Sequence, residues 1–553
     1  MGTPKWWQTA LFYEIYMPSF CDGNNDGIGD FNGIRSKLSY LQELGVKAIW
    51  LTPFYVSPKI DNGYDVADYE NIDPIYGSMG DFDRFIEDAH HMGIKVIVDL
   101  VLNHTSTEHA WFKEAASDVT SDKRDWYIWK DPVDDGPPNN WQSFFGGTAW
   151  ELDENSGQYY YHAFAKEQAD LNWANPKVKR AMFDVMEFWL KKGVDGFRLD
   201  VINFLTVQSA FPDNPYDDAK EEQLHQYDKD QKGIFQIIKE ISTFVHQYEG
   251  KFLLGEVGSE DLNVLKKYIG PEKLDAIFNF NLGSLETFDV DKIFSQMQAM
   301  EEGYVIKDLP TLFFSSHDMS RHNSRFSAGE TKEDRQKRTR VAASLILTAK
   351  GIPFIYYGDE IGMPDFEADH LTDLNDVQGL TAYEMALEAG KTEEEAMKYA
   401  NDKGRDKSRS PMQWDDSLNG GFSKKDPWLP LSSRDCQPNV AAEMQDEKSL
   451  LSFYKILINL RDQHLALRTG TYKTLKKSGS LLVYERECST ETVLVVLNFS
   501  RRSNSFPTID MKGYRPVFSS CRPIREILNL ETVLPYEVLI YSERMDEDND
   551  QTD

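Results

Sequence analysis

Three carboxylates sit in short stretches that are otherwise largely apolar: Asp200 in "GFRLDV", Glu256 in "FLLGEV" and Asp318 in "LFFSSHD". Arg198 stands two residues before Asp200. Side chains alternate along a strand, so this arginine and aspartate face one side. Such a pair in an interior strand is either a structural ion pair or a reactive carboxylate held ionised by its arginine. Two carboxyls about 5–5.5 Å apart cleave a glycosidic bond with retention, one as nucleophile and the other as acid and then base. Asp200, beside Arg198, suits the nucleophile. Glu256 follows an apolar run near other carboxylates, an environment that suits a proton donor. Asp318 is placed to bind sugar hydroxyls and to stabilise positive charge in the transition state.

That chemistry needs a frame that brings strand ends together. Eight short runs rich in β-branched, aromatic and aliphatic residues read as strands: 11–17, 48–53, 95–101, 196–202, 252–257, 276–280, 311–318 and 353–362. Helical patterns lie between them, such as "VKRAMFDVMEFWLKKG", which closes on Lys-Lys-Gly. The alternation predicts an α/β protein built on a (β/α)8 TIM barrel, whose active site lies at the C-terminal ends of the strands. Those ends carry Asp99, Asn103 and His104 after the third strand and Arg198 and Asp200 on the fourth. Glu256 ends the fifth, His317 and Asp318 the seventh, and Asp61 and Tyr64 of "DNGYD" follow the second. So many polarised strand ends do not fit a set of isolated structural residues.

The spacing of strands is uneven. The stretch after the third is too long and too rich in Trp, Tyr, Gly and Pro for a plain loop. It predicts an inserted subdomain over 105–172, with the barrel divided into 1–104 and 173–472. A second insertion follows the eighth strand, and its "TAYEMALEAGKTEEEAMKYANDKG" reads as a charged, solvated helix. The runs "LLVYERE" and "TVLVVLNF" predict an antiparallel C-terminal β-domain over 473–553, ending in an acidic tail, "ERMDEDNDQTD", that should fray.

The chain has 553 residues, with 60 Lys+Arg against 91 Asp+Glu and a formal charge of -31. That surface repels nucleic acid and anionic membranes and suits a neutral ligand. The four cysteines, Cys21, Cys436, Cys488 and Cys521, have no metal-ligand spacing, so a reduced, cytoplasmic protein is expected. The first residues lack the pattern of a signal peptide, and no apolar run is long enough to span a membrane. With no H-E-x-x-H and no Cys/His cluster, the histidines read as sugar-binding rather than zinc-binding groups.

The motifs "DLVLNH", "GFRLDV", "GEV" and "SSHD", in this order, together with "DNGYD", "QADLNW" and "SRSPMQW", resemble the α-amylase family of glycoside hydrolases. Within it they resemble the oligo-1,6-glucosidase and α-glucosidase group. The resemblance implies Asp200 as nucleophile, Glu256 as acid/base and Asp318 as transition-state stabiliser. It implies that His104 and His317 bind the glucosyl unit with support from Arg198, Asp99 and Tyr64. Asp61 and Arg409 match the pair that grips the non-reducing end, and Phe145, Phe164 and Gln168 match lining positions. Val201, after the nucleophile, matches the position where valine accompanies α-1,6 cleavage.

The implied activity is exo-acting, retaining hydrolysis of α-1,6-linked glucose from short isomalto-oligosaccharides. Rivals on the same scaffold are an α-1,4-glucosidase, a trehalose-6-phosphate hydrolase and a glucosyl transferase. A catalytically dead sugar-binding scaffold is the non-enzymatic alternative, and the three retained carboxylates argue against it. Met319-Ser320, "VGSED" and Ala169 depart from the group's usual residues on the side of the leaving group. "SRFSAGE" lacks the second arginine and aspartate of sucrose isomerases, which favours hydrolysis over isomerisation.

"DGNNDGIGD" places Asp22, Asn24, Asp26 and Asp30 in alternation, with the Ile28 carbonyl as a further oxygen. The stretch opens like an EF-hand loop but lacks its final glutamate. In the resembled group it is a calcium loop, so a structural Ca²⁺ is expected, with Mg²⁺ a second candidate. The sequence leaves the oligomeric state open, a monomer being the simpler expectation.

Overall fold

The computed structural model describes residues 4–219, 222–304, 308–327, 331–433, 438–528 and 530–544. Cys436 and the end of the acidic tail, 545–553, lie outside the described residues. Eight parallel strands form the central sheet: β1 Phe12–Ile15, β2 Ala48–Leu51, β3 Lys95–Val101, β4 Gly196–Asp200, β5 Phe252–Gly255, β6 Ala276–Ile277, β7 Thr311–Leu312 and β8 Ile352–Tyr356. They are ordered β6-β5-β4-β3-β2-β1-β8-β7, so each is hydrogen-bonded to its neighbour in the chain and β1 also pairs with β8. The remaining seam, β6 to β7, is bridged by side chains. The backbone N–H of Thr311 donates to Asn279 Oδ1 (3.0 Å), and that of Asn279 donates to Thr311 Oγ1 (2.9 Å). This exchange explains why β6 and β7 are shorter than the apolar runs that suggested them: their later residues leave the ladder.

Alternation along the strands divides the barrel into a floor and a working end. Phe12, Ala48, Ile97, Phe252, Leu254, Phe313 and Phe354 pack into one buried cluster, and Trp7 belongs to it. Two residues beyond members of that cluster on β1, β3 and β5 come Glu14, Asp99 and Glu256, while Arg198 and Asp200 lie two and four beyond Gly196 on β4. Period-2 geometry therefore aims all of these side chains the same way. Arg198 stands opposite Asp99 in the β3–β4 register.

Between β3 and β4 the chain builds an inserted unit. His104–Ser106 pairs antiparallel with Gln168–Asp170, and Gln158–Tyr161 lies between Trp129–Lys130 and Trp150–Asp153 in a second small sheet. Trp141, Trp150 and Tyr161 form its aromatic packing. At the other end of the chain, five antiparallel strands form a separate sheet in the order Thr471–Ser478, Leu481–Glu487, Glu491–Asn498, Val538–Arg544 and Arg515–Ser519. Among the described residues no helix is long and apolar enough to cross a membrane, and Cys21, Cys488 and Cys521 are free thiols.

Three later helices matter for function: α1 Lys332–Thr348, α2 Val377–Glu388 and α3 Glu393–Lys403. The last two correct the reading of 381–404 as one solvated helix. They fold against each other where Gly379 meets Ala400 and Gly404; a Cβ at Gly379 would come within 3.2 Å of Gly404 Cα. Ala396 and Ala400 are buried. Small residues at the crossing let the backbones approach, so a charged sequence still forms a packed pair.

Candidate active site

The first charge cluster hangs from one guanidinium. Arg198 Nη1 donates to Asp99 Oδ1 (2.8 Å) and to Asp200 Oδ1 (2.7 Å), while Nη2 donates to Glu256 Oε2 (2.5 Å). Three carboxylates thus share one positive charge. Burial raises the affinity of Asp200 for a proton and outweighs Arg198, with Glu256 and Asp99 adding to the effect. Burial likewise pushes Asp99 up to about 6 against the pull of Arg198. Sequence reasoning expected Arg198 to keep Asp200 ionised by itself; its charge is divided three ways, which weakens its hold on any one of them. The backbone N–H of Val201 also points at Glu256 Oε2 (3.3 Å).

That N–H is aimed by an unusual backbone. Val201 has φ 36° and ψ 47°, the left-handed region, which a β-branched residue rarely occupies. The chain turns there straight after β4, and the Val201 side chain lines the pocket. Strand alternation alone does not predict that orientation.

The second cluster has two arginines. Asp318 Oδ1 accepts from Arg409 Nη2 (2.9 Å) and lies 3.5 Å from Arg405 Nη1. Arg405 Nη2 donates to Asp61 Oδ1 (2.6 Å), and Arg405 Nε donates to the buried Asp376 (2.8 Å). Burial by itself would raise the Asp318 carboxyl, but His317, Arg405 and Arg409 outweigh it and hold it below the usual carboxylate range. Burial pushes the His317 ring down to about 3, so at neutral pH the arginines carry that effect. Burial lifts Asp61 to about 6, opposed by Arg405.

This arrangement corrects the expected partner of Asp61. Arg405 holds it, while Arg409, fully buried, braces Asp318 and donates from Nε to the His317 carbonyl (2.8 Å). The two arginines are four residues apart around the short helix Asp406–Arg409, so both face the barrel, and the earlier one reaches the pocket.

Between the clusters lies a cavity of about 590 Å³, counted to its open mouth. Asp61, Tyr64, His104, Phe145, Phe164, Asp200, Val201, Glu256 and Asp318 line it, all of them expected from sequence. Asp99, Arg198, Gln168, His317 and Arg409 stand behind that lining. Gln168 Nε2 donates to Asp61 Oδ2 (3.0 Å) and lies 3.1 Å from His104 Nε2. The ring of His317 stacks on Tyr64, and Tyr64 Oη lies 2.6 Å from Nε2.

Sequence reasoning missed three groups here. Arg405 and Gln378 also line the cavity. Glu14 lies behind it, its Oε1 2.6 Å from His317 Nδ1. Glu14 had a signal, a lone charge inside the apolar run "LFYEIY". Gln378 had none, since one glutamine at the start of a charged helix looks like any solvated residue.

Residues 14–470 match the alpha-amylase catalytic domain. The chain belongs to the alpha-amylase family. It is 39% identical over 525 residues to an oligo-1,6-glucosidase of Heyndrickxia coagulans, covering 92% of this chain and 94% of that one. It is 38% identical to a trehalose-6-phosphate hydrolase of Bacillus subtilis (strain 168), over 97% and 98% of the two chains. Among solved structures, trehalulose synthase from Pseudomonas mesoacidophila MX-45 superposes with a TM-score of 0.90 at 34% identity, covering 98% of this chain and all of that one. This alpha-amylase family member is thus a glycoside hydrolase. Its named relatives differ in substrate while sharing the frame.

The loop after β1 is closed on itself. Asp22 accepts the backbone N–H groups of Asn24, Asn25 and Gly27, and Asp30 those of Gly23, Asn24 and Gly33. Asp26 accepts from the N–H of Ile28 and from the Asn24 amide. Among the described residues no group of three or more His, Cys, Asp or Glu side chains is placed to hold a metal ion.

Proposed function

We propose that the protein is an exo-acting, retaining α-glucosidase that removes α-1,6-linked glucose from the non-reducing end of short isomalto-oligosaccharides. The carrying observation is that Asp200 and Glu256 hang from adjacent nitrogens of one guanidinium. That common anchor suits the short carboxyl separation of a retaining pair. Asp200 attacks the anomeric carbon and forms a glycosyl ester. Arg198 and the Val201 N–H both donate to Glu256 Oε2, so Oε1 is the oxygen free to carry the proton to the leaving group. Glu256 then takes a proton from water, which releases α-glucose. Asp318, kept ionised by its arginines, faces the sugar and stabilises the oxocarbenium-like transition state. Asp61, held by Arg405 and Gln168, accepts hydroxyl hydrogens at the buried side of the pocket, which limits binding to chain ends.

Two measurements test this reading. NMR of the first-formed glucose should show the α-anomer, and β-glucose would refute the double displacement. Glucose release from isomaltose, maltose, sucrose, trehalose and trehalose 6-phosphate should give isomaltose the highest kcat/KM. A lead for any other member of the panel assigns the protein to that rival instead. Longer products accumulating at high isomaltose would mark a transferase. The three free thiols support a cytoplasmic setting, and cleavage of a neutral sugar needs no partner subunit.

The loop over Asp22–Asp30 is proposed as a structural Ca²⁺ site, Mg²⁺ being the alternative. Its possible ligands, the side chains of Asp22, Asn24, Asp26 and Asp30 and the Ile28 carbonyl, are all oxygen donors, which suits a hard cation. Asp22 Oδ2, Asp30 Oδ1 and both Asp26 oxygens take one N–H each and keep a lone pair, whereas Asp22 Oδ1 and Asp30 Oδ2 already take two. The ion would support the fold and take no part in bond cleavage. Chelation should lower Tm by the lost binding free energy while leaving the still-folded enzyme active. An unchanged Tm, with no metal in elemental analysis, leaves a self-closed loop.

A further inference from the structure

A second cavity, of about 1190 Å³ to its open mouth, lies between α1, the loop after β8 and the helix Val440–Met444. Its charge is opposite to that of the molecule. Lys332, Arg335, Arg340 and Lys448 line it against two acids, Glu443 and Asp446, in a chain of formal charge -31. Elsewhere on the same helix the charges are spent: Lys337 pairs with Glu333, and Asp334 with Arg501. Among the described residues Lys332, Arg335, Arg340 and Lys448 make no ion pair with a carboxylate. The Nε atoms of Arg335 and Arg340 are shielded from solvent and have no hydrogen-bond partner. Both Nε atoms lie too deep for a ligand to touch, and Arg340 Nη2 donates to the Lys448 carbonyl, so an anion in the cavity would meet the remaining terminal guanidinium nitrogens.

The rest of the lining narrows the ligand. Asn323, Gln336 and Ser449 offer neutral polar groups, and Ile361, Pro364 and Leu450 supply apolar surface. We propose that this cavity binds a small phosphorylated sugar, its phosphate on Arg335 and Arg340 with Lys332 and Lys448 at the rim. Planar guanidinium forks match phosphate oxygens, and the neutral groups suit sugar hydroxyls. Burial lifts the Glu443 carboxyl to about 7, which lessens its repulsion of an anion near neutral pH. None of these residues belongs to the catalytic pocket.

The test uses the whole protein with glucose 6-phosphate, inorganic phosphate and glucose as probes, followed by calorimetry and thermal unfolding. Glucose 6-phosphate should bind and raise Tm, phosphate should bind more weakly, and glucose should give no such signal at this site. The double variant Arg335→Gln, Arg340→Gln should lose roughly tenfold or more in affinity for glucose 6-phosphate while hydrolysing isomaltose at the normal rate. Lys332→Gln and Lys448→Gln, at exposed positions that leave the fold intact, should each weaken binding and flatten its salt dependence. Undiminished affinity in these variants would place any binding elsewhere and overturn the proposal, as would no binding of glucose 6-phosphate to the wild type.

Discussion

The two arginine clusters of the pocket differ in how their charges balance. Arg198 stands alone among Asp99, Asp200 and Glu256, whereas Arg405 and Arg409 stand among Asp61, Asp318 and Asp376. One positive charge shared by three carboxyls, Asp99 and Asp200 buried and Glu256 half-buried, neutralises each only in part, which suits a pair that transfers a proton. Two positive charges among three keep Asp318 ionised, so the second can grip and stabilise. The same residue types perform different chemistry because the count of guanidinium groups differs.

Breaking the first cluster should have the largest effect. Asp200→Asn should cost on the order of 10⁴-fold or more in kcat, because the covalent step is lost. Glu256→Gln should cost about 10²–10⁴-fold on isomaltose and much less on α-glucosyl fluoride, whose leaving group needs no proton. Equal losses on both substrates in single-turnover kinetics would remove Glu256 from the acid role.

Breaking the second cluster should separate binding from folding. Arg409→Ala leaves the fully buried Asp376 with Arg405 alone, and loss of one partner of a buried pair costs up to about 3–5 kcal/mol. Its Tm should therefore fall sharply. Arg405→Ala should act mainly on KM through Asp61, and a double-mutant cycle with Asp61→Asn should show strong coupling. No coupling would return Asp61 to Arg409, the partner its sequence context suggested.

That mistaken partner shows where the sequence was legible. Residues at strand ends were found because period-2 alternation and barrel order fix both their direction and their meeting point. Asp200, Glu256 and His104 are of this kind. Arg405, Gln378 and the side-chain seam of Asn279 with Thr311 depend on long-range packing instead. An arginine four residues from another shares its helical face, and only the distance to the pocket tells them apart. The crossing at Gly379 and Gly404 brings Gln378 inward, and a pattern of charged residues hides it. Val201 lies between these cases: its position was marked by the nucleophile before it, but its left-handed backbone was invisible.

The clusters also differ in their response to pH. Ionised Asp61 accepts a sugar hydroxyl more strongly than its protonated form, and burial lifts its pKa to about 6. Isomaltose KM should rise as pH falls through about 6, and Asp61→Asn should remove that limb. Stability should move the other way. Because the folded pKa exceeds the unfolded value of about 3.9, the contribution of Asp61 is fully present below that value and lost as pH rises through the folded one. The Tm of the wild type relative to Asp61→Asn should therefore fall between acid and neutral pH. A constant difference would show that Arg405 fully compensates the buried charge.

The smallest expected effect tests the link between the clusters and specificity. Val201 serves the first cluster through its N–H, which points at Glu256, and its side chain lines the cavity. A left-handed, β-branched residue costs on the order of 1–3 kcal/mol, and such strain persists only when the surroundings hold it. Under the proposed α-1,6 specificity, the branched side chain would narrow the room an α-1,4-linked aglycone needs, while an α-1,6 linkage has an extra rotatable bond to swing clear. Val201→Ala keeps the N–H and removes the two methyl groups. The preference for isomaltose over maltose in kcat/KM should then shrink by about 1–3 kcal/mol, with kcat on isomaltose little changed. Preference for maltose in the wild type would defeat the α-1,6 assignment. If the wild type prefers isomaltose and the variant's ratio does not move, the selectivity lies in the loops after Glu256 and Asp318, and the strain at Val201 serves the acid alone.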